Sequence, residues 1–98
     1  MISKIAFFKV KKQHVAQAIE AIKTFVLGIK AHEPDTLVYK SFQYNDGVSF
    51  MHLMTFKDKD AEELHRNTRH IKQFAEDLYP LCDEEPRFVD IENVASVN

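Results

Sequence analysis

Apolar positions along the chain fall into two rhythms, every second residue and every third or fourth, and their succession sets out six elements. Over Ile2 to Val10, Ile5 and Phe7 lie on one side of an extended segment and Ala6, Phe8 and Val10 on the other, which predicts a strand apolar on both faces. From about Lys12 to Glu33, Val15, Ala18, Ile19, Ile22, Phe25, Val26 and Ile29 form one helical stripe, and Pro34 stops the helix. Gly28 inside that helix costs about 1 kcal/mol of propensity relative to Ala, which the broad stripe offsets. Thr36 to Tyr44 and Val48 to Phe56 predict two strands joined at Asn45-Asp46-Gly47, where Asp-Gly favours a tight hairpin with positive backbone angles. Asp58 offers an N-cap for a short helix through about Asn67. After a break at Thr68, a second helical segment carries Ile71, Phe74, Ala75, Leu78 and Cys82 and ends near Pro80. The last element, Arg87 to about Val94, alternates Val89 and Ile91 with Asp90 and Glu92, as a half-exposed strand does.

Strand, helix, strand, strand, broken helix, strand is the order of a split βαβ unit. The expected fold is therefore α+β, a ferredoxin-like sandwich with an antiparallel four-stranded sheet. Residues 1–98 make one domain, with no linker and no repeat beyond the two halves. In that plan the first and third strands are central. Charge agrees: Lys40, Asp90 and Glu92 fall on the presumed edge strands, and Val48 to Phe56 carries none.

Two helical segments cover one face of such a sheet and leave nothing for the other. Yet the other face is apolar as well. On the third strand Val48, Phe50, His52, Met54 and Phe56 share one side and Met51 and Leu53 the opposite one; on the second, Phe42 and Tyr44 oppose Leu37 and Tyr39. A bare face of this kind exceeds what soluble monomers usually tolerate, so the pattern predicts a homodimer closed over it, forming a dimeric α+β barrel. The alternative is a thick monomeric core with the surplus apolar residues scattered singly.

Composition narrows the partners. Hydrophobic residues make up 45% and charged residues 29% of the 98, a globular balance that leaves no disordered class open. Thirteen Lys and Arg against fifteen Asp and Glu give a net charge of -2, so no bulk field draws the chain to nucleic acid or to anionic lipid. The N-terminal apolar run is broken by Lys4 and Lys9, too short for a signal segment or a membrane span. A single cysteine, Cys82, forms no internal disulfide and is too little thiol for structural zinc, which points to a reducing cytoplasm.

The stretch Phe56-Lys57-Asp58, then Ala61, His65, His70 and Phe74, together with Glu33-Pro34-Asp35-Thr36-Leu37-Val38-Tyr39, resembles the antibiotic biosynthesis monooxygenase family, the dimeric α+β barrel group that includes quinol monooxygenases. The resemblance runs from about Ile2 to Val94. It implies a homodimer with a pocket between each sheet and its helices, and oxidation of a small aromatic phenol or quinol by dioxygen without metal or flavin. In that chemistry the electron-rich phenolate itself reduces dioxygen, and the protein binds it, deprotonates it and excludes water. Where many relatives carry Glu-x-Trp at the end of the third strand, this chain has Met54-Thr55-Phe56, without the carboxylate or the indole. The haem-degrading branch fits less well still, since its first-strand Asn would fall among Ile5, Ala6, Phe7 and Phe8.

Within that frame His52, the one ionisable residue on the apolar stripe of the third strand, is a candidate to accept a phenol proton in a pocket lined by Phe50, Met54 and Phe56. The plainer reading is a core histidine hydrogen-bonded to a neighbour. His65 and His70 match the family motif: His70 is a second candidate for proton transfer at the pocket mouth, and His65 and Phe74 for its lining. Five residues on a continuous helix place two side chains about 140° apart, so only the break near Thr68 can bring the two imidazoles together, and no metal or other cofactor is expected. Tyr39 is the candidate substrate orienter. Tyr44 and Tyr79 fill sheet or helix contacts, Arg66 and Arg69 flank a solvated helix junction, and Cys82 reads as packing. The competing functional reading is a non-catalytic dimeric barrel that binds a hydrophobic small molecule. A third is another reaction of similar barrels, such as lactone isomerisation.

Overall fold

The computed structural model describes residues 1–97. Its elements are β1 (Ile2–Val10), a 3-10 turn (Lys12–His14), α1 (Val15–His32), β2 (Thr36–Gln43), β3 (Ser49–Phe56), α2 (Lys59–Arg66), α3 (Arg69–Leu78), a second 3-10 turn (Tyr79–Leu81) and β4 (Cys82–Ile91). The sheet runs β2-β3-β1-β4 with every neighbouring pair antiparallel, so the two central strands are those the charge pattern assigns to the centre.

One sheet face meets the helices. From α1, Ala18, Ile22, Phe25 and Ile29 pack onto Phe8, Val10 and Phe50 and against Phe74, Leu78 and Leu81. Removing this apolar area from water is what holds α1 in place. The helix ends where Pro34 forbids another turn, with the Glu33 N–H still bonded to the Ile29 carbonyl at 2.9 Å. The break between α2 and α3 is two residues wide, Asn67 and Thr68. The Thr68 hydroxyl accepts from the Ile71 N–H and is placed to donate to the His65 carbonyl, 2.9 Å away, so it caps one helix and ties off the other. Asp58 caps α2, accepting from the Ala61 N–H at 2.9 Å.

Three details depart from the alternation. Cys82 opens β4 instead of closing the helix: Leu81 is the last buried residue of the helical layer, and the strand begins through Asp83, Glu84 and Glu85. Its pairing with β1 slips on both sides of Lys9, once at Asp83 and once at Glu85-Pro86, where the proline has no N–H to give a regular ladder. In β2 an extra residue opposite the end of β3 parts Leu37, half exposed, from Tyr39, which turns inward. At the hairpin only Gly47 has positive φ, at 79°. Asp46 stays in ordinary backbone space, and its carboxylate accepts from the Val48 and Ser49 N–H groups and from the Ser49 hydroxyl.

The opposite sheet face carries Ile5 and Phe7 from β1, Phe42 from β2, Met51 and Leu53 from β3, and Val89 from β4, in register across the strands. No element of the described residues covers it. Phe42 is 47% exposed and Val89 44%, while Arg87 lies 6.0 Å over the Phe7 ring. Among the described residues no helix is long and apolar enough to cross a membrane.

Candidate active site

A cavity of about 280 Å³ lies between the helix-facing side of the sheet and α2 and α3. Ala6 and Phe8 of β1, Tyr39 of β2 and His52, Met54 and Phe56 of β3 form its floor. His65 and Phe74 roof it, and Phe88, 61% exposed, stands at its mouth with Arg66 and Tyr79. Inward alternation of three strands supplies the floor, which is why it is apolar apart from one phenol and one imidazole.

Those two groups bond each other: Tyr39 Oη and His52 Nδ1 are 2.7 Å apart. Burial pushes the Tyr39 phenol well above its ordinary range, reinforced by the nearby Glu33 charge, so it keeps its proton. Burial also lowers His52 to about 4, so the ring is neutral and carries a single N–H. With the Tyr39 O–H donating to Nδ1, that proton sits on Nε2; the opposite assignment would strand both the phenol proton and the Nε2 lone pair. Nε2 is buried and has no hydrogen-bond partner. The dyad thus holds a buried, unpaired N–H on a ring that lines the cavity.

A second polar group sits beneath the roof. Glu33, at the end of α1, is almost wholly buried and accepts at Oε1 from His65 Nδ1 at 2.8 Å and from the Thr36 hydroxyl at 2.7 Å, while His70 Nε2 meets Oε2. Burial pushes this carboxyl upward, but the hydrogen bonds from His65, His70 and Thr36 outweigh it and hold Glu33 at about 2. An ionised carboxylate only accepts, so Nδ1 of His65 carries a proton, on a ring that lines the cavity. The two rings differ in partner: Nδ1 of His52 accepts from a phenol and Nδ1 of His65 donates to a carboxylate. His65 sits over the Phe56 end of the floor, 5.1 Å from that ring between centroids, and His52 lies four residues back along β3. The Tyr39 ring lies between, 5.3 Å from His52 and 5.7 Å from His65.

A third polar group is on the β1 side, where Lys4 Nζ lies 2.6 Å from Glu62 Oε2 and 3.5 Å from Asp90. The hydrogen bond to Glu62 raises the Lys4 pKa against partial burial, so the ammonium keeps its charge at the wall. Among the described residues no cluster of three His, Cys, Asp or Glu side chains is arranged to hold a metal ion.

The sequence profile of antibiotic biosynthesis monooxygenases matches residues 1–77. The chain belongs to this family. Solved structures agree in fold. An antibiotic biosynthesis monooxygenase superposes with a TM-score of 0.87 at 19% identity, covering 97% of this chain and all of the other. A candidate member from Caulobacter crescentus gives 0.87 at 24% identity over 96% of this chain and 90% of its own. One from Bacteroides thetaiotaomicron gives 0.89 at 14% identity over 99% and 92%. Among curated proteins, no sequence matches.

Within this antibiotic biosynthesis monooxygenase domain, the family-motif residues converge less simply than their spacing implies. Tyr39, His52, Met54, Phe56, His65 and Phe74 all line the cavity. Phe50 does not: it is buried in the core, stacked on Phe8 at 5.3 Å between ring centroids. His70 does not either, since it faces a neighbouring cleft on the far side of the Phe25–Phe74 stack. The break at Thr68 does bring both imidazoles together, on the carboxylate of Glu33. That residue is absent from the sequence-based candidates, because a Glu ahead of Pro34 reads as a helix end. Its only signal is its place in the Glu33-Pro34-Asp35 stretch of the family resemblance.

Proposed function

We propose that the protein is a monooxygenase that takes a small aromatic phenol or quinol into this cavity and oxidises it with dioxygen. The observation that carries the reading is the pair of imidazoles lining one apolar chamber, Nδ1 of His52 bonded to the Tyr39 phenol and Nδ1 of His65 to the Glu33 carboxylate; with both rings neutral, Nε2 is a donor on His52 and an acceptor on His65. A hydroquinone seated along the Tyr39 ring gives one hydroxyl proton to His65 Nε2, and the imidazolium that forms is balanced by Glu33. His52 Nε2–H donates to the oxygen at the other end, where negative charge gathers in the phenolate. The phenolate passes one electron to dioxygen, the two radicals join at a ring carbon, and loss of water from the peroxide leaves a hydroxyquinone. Overall, quinol and dioxygen give hydroxyquinone and water. The apolar walls keep bulk water from the reactive intermediates.

Oxygen uptake with a panel of benzo- and naphthohydroquinones tests this. Turnover is expected, with His65→Ala slowing it by about 10²–10⁴ while quinol binding persists. The absence of uptake across the panel, together with ligand-induced thermal stabilisation, would favour instead a hydrophobic-ligand binder, the reading suggested by Met54-Thr55-Phe56 in place of Glu-x-Trp.

We also propose that the uncovered face, with Ile5, Phe7, Phe42, Met51, Leu53 and Val89, meets the same face of a second copy, since an apolar sheet surface is most readily closed by an isologous contact. Sedimentation is expected to give twice the chain mass at micromolar concentration, and Leu53→Asp on the central strand to give the monomer. A wild-type chain that sediments as a monomer would remove the barrel.

A further inference from the structure

Gly28 lies mid-helix in α1, where no turn or positive φ requires a glycine. Its reason is lateral. A Cβ at this position would stand 3.0 Å from both Cβ and Cγ of His70 and 3.4 Å from its Nδ1, tight enough that the ring must give way by a few tenths of an ångström. The bare backbone makes a notch in α1, and His70, from the second residue of α3, fills it and reaches Glu33 Oε2. His70 itself has no access to the main cavity. The cleft it lines also holds His32, 6.1 Å away between ring centroids, Arg69 and Asp77.

We infer that His70, seated in the Gly28 notch, is a positioning residue that holds Oε2 of Glu33 and so keeps Oε1 on Nδ1 of His65, fixing which nitrogen of His65 faces the cavity with a lone pair. A buried carboxylate bonded on both oxygens has one orientation available, and its acceptor geometry dictates the tautomer of the ring it touches. Without the His70 N–H, Oε2 is left buried and unpaired, and the carboxylate turns toward other donors or water. Thr36, which shares Oε1, does not replace that second hold. This inference rests on the proposed role of His65 as the proton acceptor, but the tautomer it concerns is measurable without turnover.

The test is long-range ¹H–¹⁵N correlation on the histidine-labelled full chain. In the wild type, His65 is expected to be protonated on Nδ1 alone and His52 on Nε2 alone. In His70→Ala and in Gly28→Ala, which pushes the ring out of its notch, the His65 nitrogens are expected to shift toward the average of the two tautomers, with His52 unchanged as a sign that the fold is intact. His70→Gln, whose amide N–H can still reach Oε2, is expected to restore the wild-type pattern. Turnover of the hydroquinone should fall by up to about a hundredfold in the first two variants with KM little altered, and recover in the third. A pure Nδ1–H tautomer of His65 in His70→Ala or Gly28→Ala, with His52 unchanged, would overturn the inference. Should His70→Ala fail to fold, Gly28→Ala and His70→Gln decide the matter. A His65 signal that responds as described in a protein that consumes no oxygen would defeat only the monooxygenase reading.

Discussion

Glu33→Ala is expected to lower the unfolding free energy by about 3–5 kcal/mol, measured as a drop in the urea midpoint at unchanged slope. The substitution removes one carboxylate and leaves three donors facing nothing: His65 Nδ1–H, His70 Nε2–H and the Thr36 hydroxyl, of which the first lies in the core. Each unpaired buried group costs about 1–3 kcal/mol, and a space is left behind as well. Domains of this size have about 5–15 kcal/mol in total, so the variant should be barely folded at 37 °C. Glu33→Gln keeps an acceptor oxygen and should lose less, about 1–3 kcal/mol. With no carboxylate to orient His65 or balance its imidazolium, Gln should still slow hydroquinone turnover by about 10²–10⁴. An Ala variant within about 1 kcal/mol of wild type would mean that the carboxylate does not anchor the two helices to the end of α1.

Acid should unfold the protein in two stages. His52 has a folded pKa near 4 against an ordinary 6.5, so the unfolded chain binds its proton first. The stabilisation from keeping that ring neutral is full above about pH 6.5 and is lost as pH falls toward 4, roughly 3 kcal/mol in all. Glu33, near 2 against an ordinary 4.5, adds a second loss of roughly 3 kcal/mol below pH 4.5 as its carboxylate is protonated in the unfolded chain first. Thermal melts by circular dichroism should therefore show a Tm that is flat near neutrality, falls from about pH 6.5, and collapses near pH 3. In His52→Phe the upper limb should vanish, with Tm falling only from about pH 4.5. A wild-type Tm that holds constant from pH 7 down to 4.5 would show that His52 is not kept neutral by burial.

The fold was legible in the sequence because its elements are written in strong periods. The stripe Ala18, Ile22, Phe25 and Ile29 and the alternation through β3 each point to one face, and the structure uses those faces. What misled were places where a side chain's local chemistry outweighs its period. Cys82 continues a helical spacing, but the buried position belongs to Leu81, and the run Asp83-Glu84-Glu85 has too little apolar content to look like the strand it forms. Asp-Gly marks the hairpin, though Asp46 serves it with a carboxylate and not with a positive φ. At the site, the identity of the histidines was readable and their roles were not. A tautomer depends on a partner distant in sequence: Tyr39 is 13 residues from His52, and Glu33 is 32 from His65. Gly28 is the clearest case, a penalty in one helix whose cause sits on another.

The slipped pairing around Pro86 also bears on how copies can associate. The free margin of β4 presents a residue without an N–H beside three consecutive carboxylates, and the margin of β2 carries its own irregularity at Leu37. Neither flank is a template on which a third or fourth chain can continue the hydrogen-bond ladder, so open-ended growth into fibrils is discouraged at both ends. The proposed face-to-face pair then has nowhere further to propagate, and the oily plate it would cover is flanked by edges that do not seed aggregates.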